Sequence, residues 1–361
     1  MKRLALIGML PVAALILAAF LPLVNAEACS RMFWNTNGEA LLVGRNMDFY
    51  LDDLPTFFVF PQGMSKNGGV VNPATWTSQY GSLVVTGLGM SNFSAEGVNT
   101  AGLAFHYLWL TATQYENRDT RPGVLNVSYG EYLLDNAATV LDALLLMYHT
   151  QVVPQAINGK NYTFHLALED ASGDAAIVEF VGGQMNVYHV PGFNTLTNDP
   201  PLPQMPDLRT YQYFGGTLPL PGDNNAQSRF VRASAFLSTL DSAFTDPTAL
   251  KPDPVSIMFN GIRAITEPFG SFQFVGPGGV PGNSPVPAWP TTWTIVSDLT
   301  NKKVYFSHYI ARNNFWIEMG KLNFQAGAPI RSLNAERPDL HGEVSACFSA
   351  SPMAPMLLLL D

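Results

Sequence analysis

The spacing of apolar positions changes several times along this chain, and each change marks an element. After Lys2 and Arg3 the run from Leu4 to Val24 is apolar almost without a break. Strand-length runs follow at residues 29–35 and 40–43, separated by Asn37-Gly38, a pair that tolerates positive φ and predicts a hairpin. That hairpin brings Arg45 and Asp48 back beside Cys29, so residues 16 and 19 places away become its neighbours. Further strands are predicted at 57–60 and 82–86. The run 102–110 is apolar on both faces and reads as a fully buried strand. Ser128-x-x-Glu131 has the form of a capping box opening a helix that reaches about Tyr148, with Leu134, Ala138, Leu141, Leu145 and Tyr148 on one stripe.

Strands at 163–168, 176–181 and 185–190 are joined by Gly-containing turns, and 193–197 follows closely. Residues 200–222, rich in Pro, Gly and Gln, form an excursion or assembly loop. Helical periodicity returns at 228–240 and 255–265. The stretch 272–290 is a Gly/Pro-rich loop. The last predicted strands are 292–296 and 304–308, a hairpin around Asn301-Lys302, and 315–319. Strands, a helix, strands, helices and strands again imply antiparallel sheet covered by helices, an α+β sandwich. No composition break divides 29–361, which is expected to be one domain.

Composition narrows the function classes. The chain has 361 residues, 47% of them hydrophobic, 13% charged, with a formal net charge of −9. No basic surface exists to attract phosphates, so nucleic acid is not an expected partner. The charged start, apolar run and Ala26-x-Ala28 read as an export signal over residues 1–28, cut before Cys29 or before Glu27. Its loss leaves a mature chain near −10, periplasmic or secreted, without a stable membrane anchor. Two other fates stay open. The 21-residue run is long enough to span a bilayer, against which Pro11, Pro22 and the cleavage-like end argue. Lipid attachment at Cys29 is the other, although Ala26-Glu27-Ala28 lacks the large apolar residue such sites usually carry. In an exported protein the two cysteines, Cys29 and Cys347, also admit a disulfide. Against that pairing, Cys347 lies in a Ser/Ala/Pro-rich tail that need not fold against the core.

A cut before Cys29 gives one residue both a thiol and an α-amine. The thiolate is a good nucleophile, and an amine with pKa of about 7.7–8.0 is a base near neutral pH. No separate histidine is then required. Of six histidines none has metal-like spacing to another ligand, and no metal or cofactor is expected. Arg45 can favour the thiolate, and Asp48 can orient the amine. Asn198, in Leu196-Thr197-Asn198-Asp199-Pro200, is placed to donate to an oxyanion, and Arg229 opens a helix from which it can brace the site's carboxylate. Phe33, Phe49, Phe57, Phe58 and Trp109 are candidate walls for an apolar acyl group or, equally, ordinary core.

Five segments in order resemble the choloylglycine hydrolase family, which includes bile salt hydrolases and penicillin V acylases. They are Cys29-Ser30-Arg31, Gly44-Arg45-Asn46-Met47-Asp48-Phe49, Gly97-Val98-Asn99-Thr100-Ala101-Gly102-Leu103, Leu196 through Pro200, and Leu220-Pro221-Gly222-Asp223 through Ser228-Arg229-Phe230. The resemblance implies a four-layer αββα N-terminal-nucleophile hydrolase. It implies Cys29 as nucleophile with its own amine as base, Arg45 and Asp48 beside it, Asn198 as oxyanion donor and Arg229 as supporting cation. A second oxyanion donor, a backbone N–H about ten residues beyond Asn99, falls at Trp109. Tryptophan there resembles the Gram-negative branch and departs from the bile-salt pattern. The implied substrate is a small linear acyl amide, of penicillin V or acyl-homoserine-lactone type, with conjugated bile salts as the alternative. The implied assembly is a homo-oligomer, often a tetramer. An exported binding protein with Cys29 lipidated or disulfide-bonded is the rival from another class.

Overall fold

In a computed structural model, residues 29–50, 52–156, 159, 161–245, 253–275 and 284–351 are described. The expected leader, 1–28, lies outside them.

In chain order the main strands are β1 Cys29–Trp34, β2 Leu42–Asp48, β3 Thr56–Phe60, β4 Ser82–Thr86, β5 Ser94–Asn99, β6 Ala104–Trp109, β7 Phe164–Glu169, β8 Ala175–Val181, β9 Gln184–Tyr188, β10 Thr195–Leu196, β11 Thr291–Asp298, β12 Lys303–His308, β13 Asn313–Glu318, β14 Arg331–Asn334, β15 His341–Glu343 and β16 Ser349–Ala350. The helices are α1 Tyr129–Asn136, α2 Val140–His149, α3 Ala226–Thr245 and α4 Pro254–Arg263. One sheet of seven strands has the order β10-β1-β2-β11-β12-β13-β15, and a second of nine has the order β9-β8-β7-β6-β5-β4-β3-β14-β16. α3 and α4 cover the first, α1 the second. This is the expected αββα sandwich. Among the described residues no helix is long and apolar enough to cross a membrane.

Period-2 alternation makes the layers. On β1, Met32 and Trp34 join the core under α3 and α4, whereas Phe33 enters the core between the sheets. On β2, Leu42 faces the helices and Val43 the other sheet. Gly44 lies on the helix side, where a Cβ would stand 2.8 Å from Met258 Sδ and 3.3 Å from Ile262 Cβ, so the residue sets how closely α4 approaches. The inter-sheet core includes Phe57, Val59, Leu83 and Val85 from one sheet and Trp293, Ile295, Phe306 and Phe315 from the other.

Several expectations are corrected. The single helix ending near Tyr148 is two. Asn99 Nδ2 donates to Leu134 O at 2.8 Å and to Ala137 O at 2.7 Å, taking carbonyls that end α1, and a capping box of Thr139 and Asp142 starts α2. The anticipated box at Ser128 does not form. Ser128 Oγ bonds to Asn92 O, and Glu131 is taken by Lys66. α2 is rotated from the expected stripe. Val140, Ala143 and Met147 are buried, while Leu141, Leu145 and Tyr148 are exposed. The turn at Asn37-Gly38 uses positive φ only at Gly38, while Asn37 Oδ1 accepts from the Glu39 and Ala40 N–H groups. The loop at 272–290 contains a short pairing of Phe272–Val275 with Ser284–Pro287. The tail beyond Val344 does fold against the core. Phe348 is buried, and β16 pairs with β14. No Cys29–Cys347 bridge forms, since both cysteines are free.

Lys66 is buried against α1, with Nζ 2.5 Å from Glu131 Oε1 and 2.8 Å from Asp135 Oδ2. Replacement by Met strands two buried carboxyls. Lys66→Met is expected to lower stability by about 3–5 kcal/mol, read as a shift of the urea midpoint. An unchanged midpoint contradicts this account of the layer.

Candidate active site

The β1–β2 register puts Met47 opposite Cys29 and Arg45 opposite Arg31. Odd positions of β1 (Cys29, Arg31, Phe33) and of β2 (Val43, Arg45, Met47) therefore face the second sheet, and even ones (Ser30, Asp48) face the helices. Arg45 Nη2 lies 3.7 Å from Cys29 Sγ and donates to Tyr107 O at 2.9 Å. Its guanidinium stacks 4.7 Å from the Trp293 ring. Burial pushes the Cys29 thiol up, opposed chiefly by Arg45. A thiol so buried gives up its proton only to a base beside it.

Asp48 accepts from Thr291 Oγ1, and its Oδ2 is 3.9 Å from Arg229 Nη1. A register shift between Thr291 and Trp293 brings Thr291 level with Asp48. Burial drives Asp48 up to about 8, Arg229 working against it and Glu267 with it. Arg229, wholly buried on α3, reaches Cys29 O and Ser30 Oγ at 2.6 Å each, Asn198 Oδ1 at 3.1 Å and Glu267 Oε1 at 3.2 Å. It braces the backbone of the first strand as well as the carboxylate.

Asn198 closes the ring. The Cys29 N–H donates to its Oδ1, and its Nδ2 donates to Trp109 O at 2.9 Å, leaving that nitrogen a second hydrogen. Asp199 anchors the same turn by accepting from Thr111 N at 2.9 Å. Leu110 N donates to Thr163 O, so alternation turns the Trp109 N–H away from β7, towards the side where the ladder with β5 stops at His106 and Glu96. Cys29, Arg45, Asp48, Asn198, Arg229 and Trp109 are thus one constellation.

Beside them is a cavity with Cys29, Arg45 and Asp48 in its lining and walls that include Phe49, Leu88, Phe93, Trp109, Tyr162, Phe164 and Trp289. The rings of Trp289 and Trp109 meet edge to face at 6.0 Å, Phe49 meets Trp289 at 5.3 Å, and Phe93 meets Tyr162 at 4.8 Å. Of the four phenylalanines expected as walls only Phe49 is there. Phe33 and Phe57 lie in the inter-sheet core and Phe58 in the core under α1, outside the cavity lining; Phe33 shares the Cys29 face of β1 but stands four positions further along the strand. Sequence reading missed Trp289, which ends the Gly/Pro-rich loop, and Glu267 and Thr291, which fix Arg229 and Asp48. It also missed Glu96, whose signal was a lone carboxylate within the apolar run Ala95 to Val98.

Asp52, His308 and Glu336 do approach one another within 4.8 Å, a grouping that spacing did not suggest. Ala311 N donates to His308 Nδ1 at 2.9 Å, so the neutral ring carries its proton on Nε2 and is not set to ligate a metal there.

The model of the linear amide C–N hydrolases, choloylglycine hydrolase family, matches residues 29–332. The chain belongs to that family and is an amidase of linear C–N bonds. It is similar to a penicillin V acylase of Pectobacterium atrosepticum, 30% identical over 341 residues that cover 89% of this chain and 88% of the relative. A solved penicillin V acylase of Agrobacterium tumefaciens, also 30% identical, superposes with a TM-score of 0.75 over 90% of this chain and 98% of that one. These relatives fit the Gram-negative branch. A conjugated bile acid hydrolase variant of Clostridium perfringens, 21% identical, shares the fold with a TM-score of 0.68 over 85% of this chain and 97% of that one.

Asp53 lines the cavity and accepts from Trp293 Nε1 at 2.8 Å, and burial raises its pKa from 3.8 to about 6. The folded protein holds this proton more tightly than the unfolded chain. The contribution is therefore full below 3.8 and lost as pH rises through about 6. Relative to Asp53→Asn, the wild type should lose about 2.4 kcal/mol between pH 4 and 7, measured by urea unfolding at each pH. A gain over that range contradicts the sign.

Proposed function

We propose that this chain is an exported, Gram-negative-type acylase that cleaves the amide of an aryl-substituted acyl group, as in penicillin V, through Cys29 as its first residue. The observation that carries the reading is the thiol 3.7 Å from Arg45 in the lining of a cavity walled by aromatic rings. The family match beginning at Cys29 and the acylase relatives support it.

In this mechanism the Cys29 α-amine takes the thiol proton as Sγ bonds to the carbonyl carbon. Arg45 offsets the charge on sulfur. The carbonyl oxygen becomes an oxyanion that receives the second Asn198 Nδ2 hydrogen and the Trp109 backbone N–H. The amine then passes its proton to the leaving nitrogen, the C–N bond breaks, and the acyl group remains as a thioester. Water, deprotonated by the same amine, displaces sulfur and regenerates the thiol. Asp48, held by Thr291 and Arg229, orients the amine. Edge-to-face rings favour an aromatic acyl group over a linear chain, because rings gain about 0.5–1.5 kcal/mol per pair beyond buried area. The leader at 1–28 supports export to the periplasm or medium, and the exposed excursion at 200–222 supports assembly into a homo-oligomer, a tetramer by resemblance.

Cys29→Ala and Cys29→Ser are expected to lower kcat by more than about a thousandfold with an unchanged unfolding midpoint, and mass measurement of the mature protein should give cysteine as its first residue. Full turnover in Cys29→Ala, or any residue kept ahead of Cys29 in the active form, refutes the mechanism. In a panel of penicillin V, conjugated bile salts and acyl-homoserine lactones, penicillin V should give the highest kcat/KM. Trp289→Ala should raise its KM about tenfold, as expected for a lost ring contact, with kcat within about threefold. A preference for bile salts or long-chain lactones would overturn the aryl reading.

A further inference from the structure

Between the two apolar sheets lies one layer of charge that the mechanism above does not use beyond Arg45. Arg31 and Arg45 are directly opposite on β1 and β2, an arrangement of like charges that is unfavourable unless anions stand over it. The second sheet supplies them. Glu96 on β5 has Oε2 3.3 Å from Arg45 Nε, and Glu169 on β7 has Oε1 against Arg31 Nη2. His106 on β6 stands between the two carboxylates, with Nδ1 3.3 Å from Glu96 Oε2 and Nε2 3.1 Å from Glu169 Oε2. All five side chains are at most 1% exposed.

A neutral imidazole has one protonated and one lone-pair nitrogen. In this position the lone pair would face a carboxylate, and two acceptors would repel in a water-free layer. Only the imidazolium carries a proton on both nitrogens, one hydrogen-bonded to Glu96 and the other at ion-pair distance from Glu169. Two arginines and two glutamates cancel, so the imidazolium leaves the layer with a net positive charge next to Cys29 Sγ. We propose that His106 is a positioning residue, held as an imidazolium between Glu96 and Glu169, which keeps Glu96 on Arg45 and Arg45 on the Cys29 sulfur. The charge it adds also offsets Glu96, leaving more of the Arg45 charge to act on the thiolate. The direction of the shift at His106 agrees, raised to about 9 although burial, the largest influence, opposes it; Glu169 is the foremost of the groups that raise it. The groups facing His106 are Glu96 and Glu169, and beyond them Arg45 and Arg31. The inference rests on Cys29 as nucleophile, which Cys29→Ala tests separately.

Two measurements decide it. In wild-type protein labelled with ¹⁵N-histidine, the His106 ring should show two protonated nitrogens that do not change from pH 6 to 8. A neutral ring at pH 7 overturns the proposal, and this arm needs no variant to fold. In a Cys347→Ser background, which removes the exposed second thiol, iodoacetamide should alkylate Cys29 about tenfold more slowly at pH 7 in His106→Gln. The midpoint of its pH–rate curve should rise by about one unit, the shift expected when a nearby cation is removed. His106→Lys, which restores the charge, should recover most of the loss. Turnover in His106→Gln should fall in kcat with KM within about twofold. An unmoved alkylation curve, or a loss confined to KM, refutes the role.

Discussion

The pairing of β1 with β2 is the constraint on which the rest of this molecule depends. One antiparallel register, with Met47 opposite Cys29 and Arg45 opposite Arg31, decides which residues can meet. A slip of β1 by one position would send the sulfur and the Arg31 guanidinium towards the helices, away from Arg45 on β2, and the apolar Met32 and Trp34 between the sheets. Large hydrophobic side chains hold the register. Phe33 and Val43 are locked in one core, and Met32, Trp34 and Leu42 in another. The site is therefore placed by packing that takes no part in the chemistry, and its precision comes from rigid strands.

Around that hairpin the protein spends unusual amounts of buried charge. Arg229 alone touches the Cys29 carbonyl, Ser30, Asn198 and Glu267. Each contact fixes a different segment relative to the first residue of β1: the β10 turn, α3 and the region after α4. Buried ion pairs add little net stability, because desolvation offsets the attraction, but they penalise any arrangement in which one partner is missing. Here that penalty works as a lock, since the segments must arrive together for any of them to be satisfied.

Much of this was legible in the chain. Alternation and turn residues gave most strands to within a residue or two, and the Asn37-Gly38 hairpin predicted that Arg45 and Asp48 return beside Cys29. What could not be read was set by partners far away in sequence. The helix break at Ala137 depends on the Asn99 side chain, which reaches it from 38 positions earlier. The α2 stripe was misassigned because leucines at helical spacing do not say which face meets the core, and a second cap rotated the helix. Phe33, Phe57 and Phe58 had the right chemistry for a cavity wall but stand elsewhere along the sheets, Phe33 four positions down the strand from Cys29. Trp289 was hidden in a loop whose glycines and prolines carry no periodicity.

The ends of the two sheets have a consequence of their own. Three of the four outermost strands are only two or three residues long: Thr195–Leu196, His341–Glu343 and Ser349–Ala350. The fourth, Gln184–Tyr188, is five. A border this short presents few unpaired peptide groups in a row, so a foreign extended segment finds almost no template on which to add itself. A chain with 47% hydrophobic residues can thus carry sixteen main strands and still resist zipping onto its own copies at high concentration.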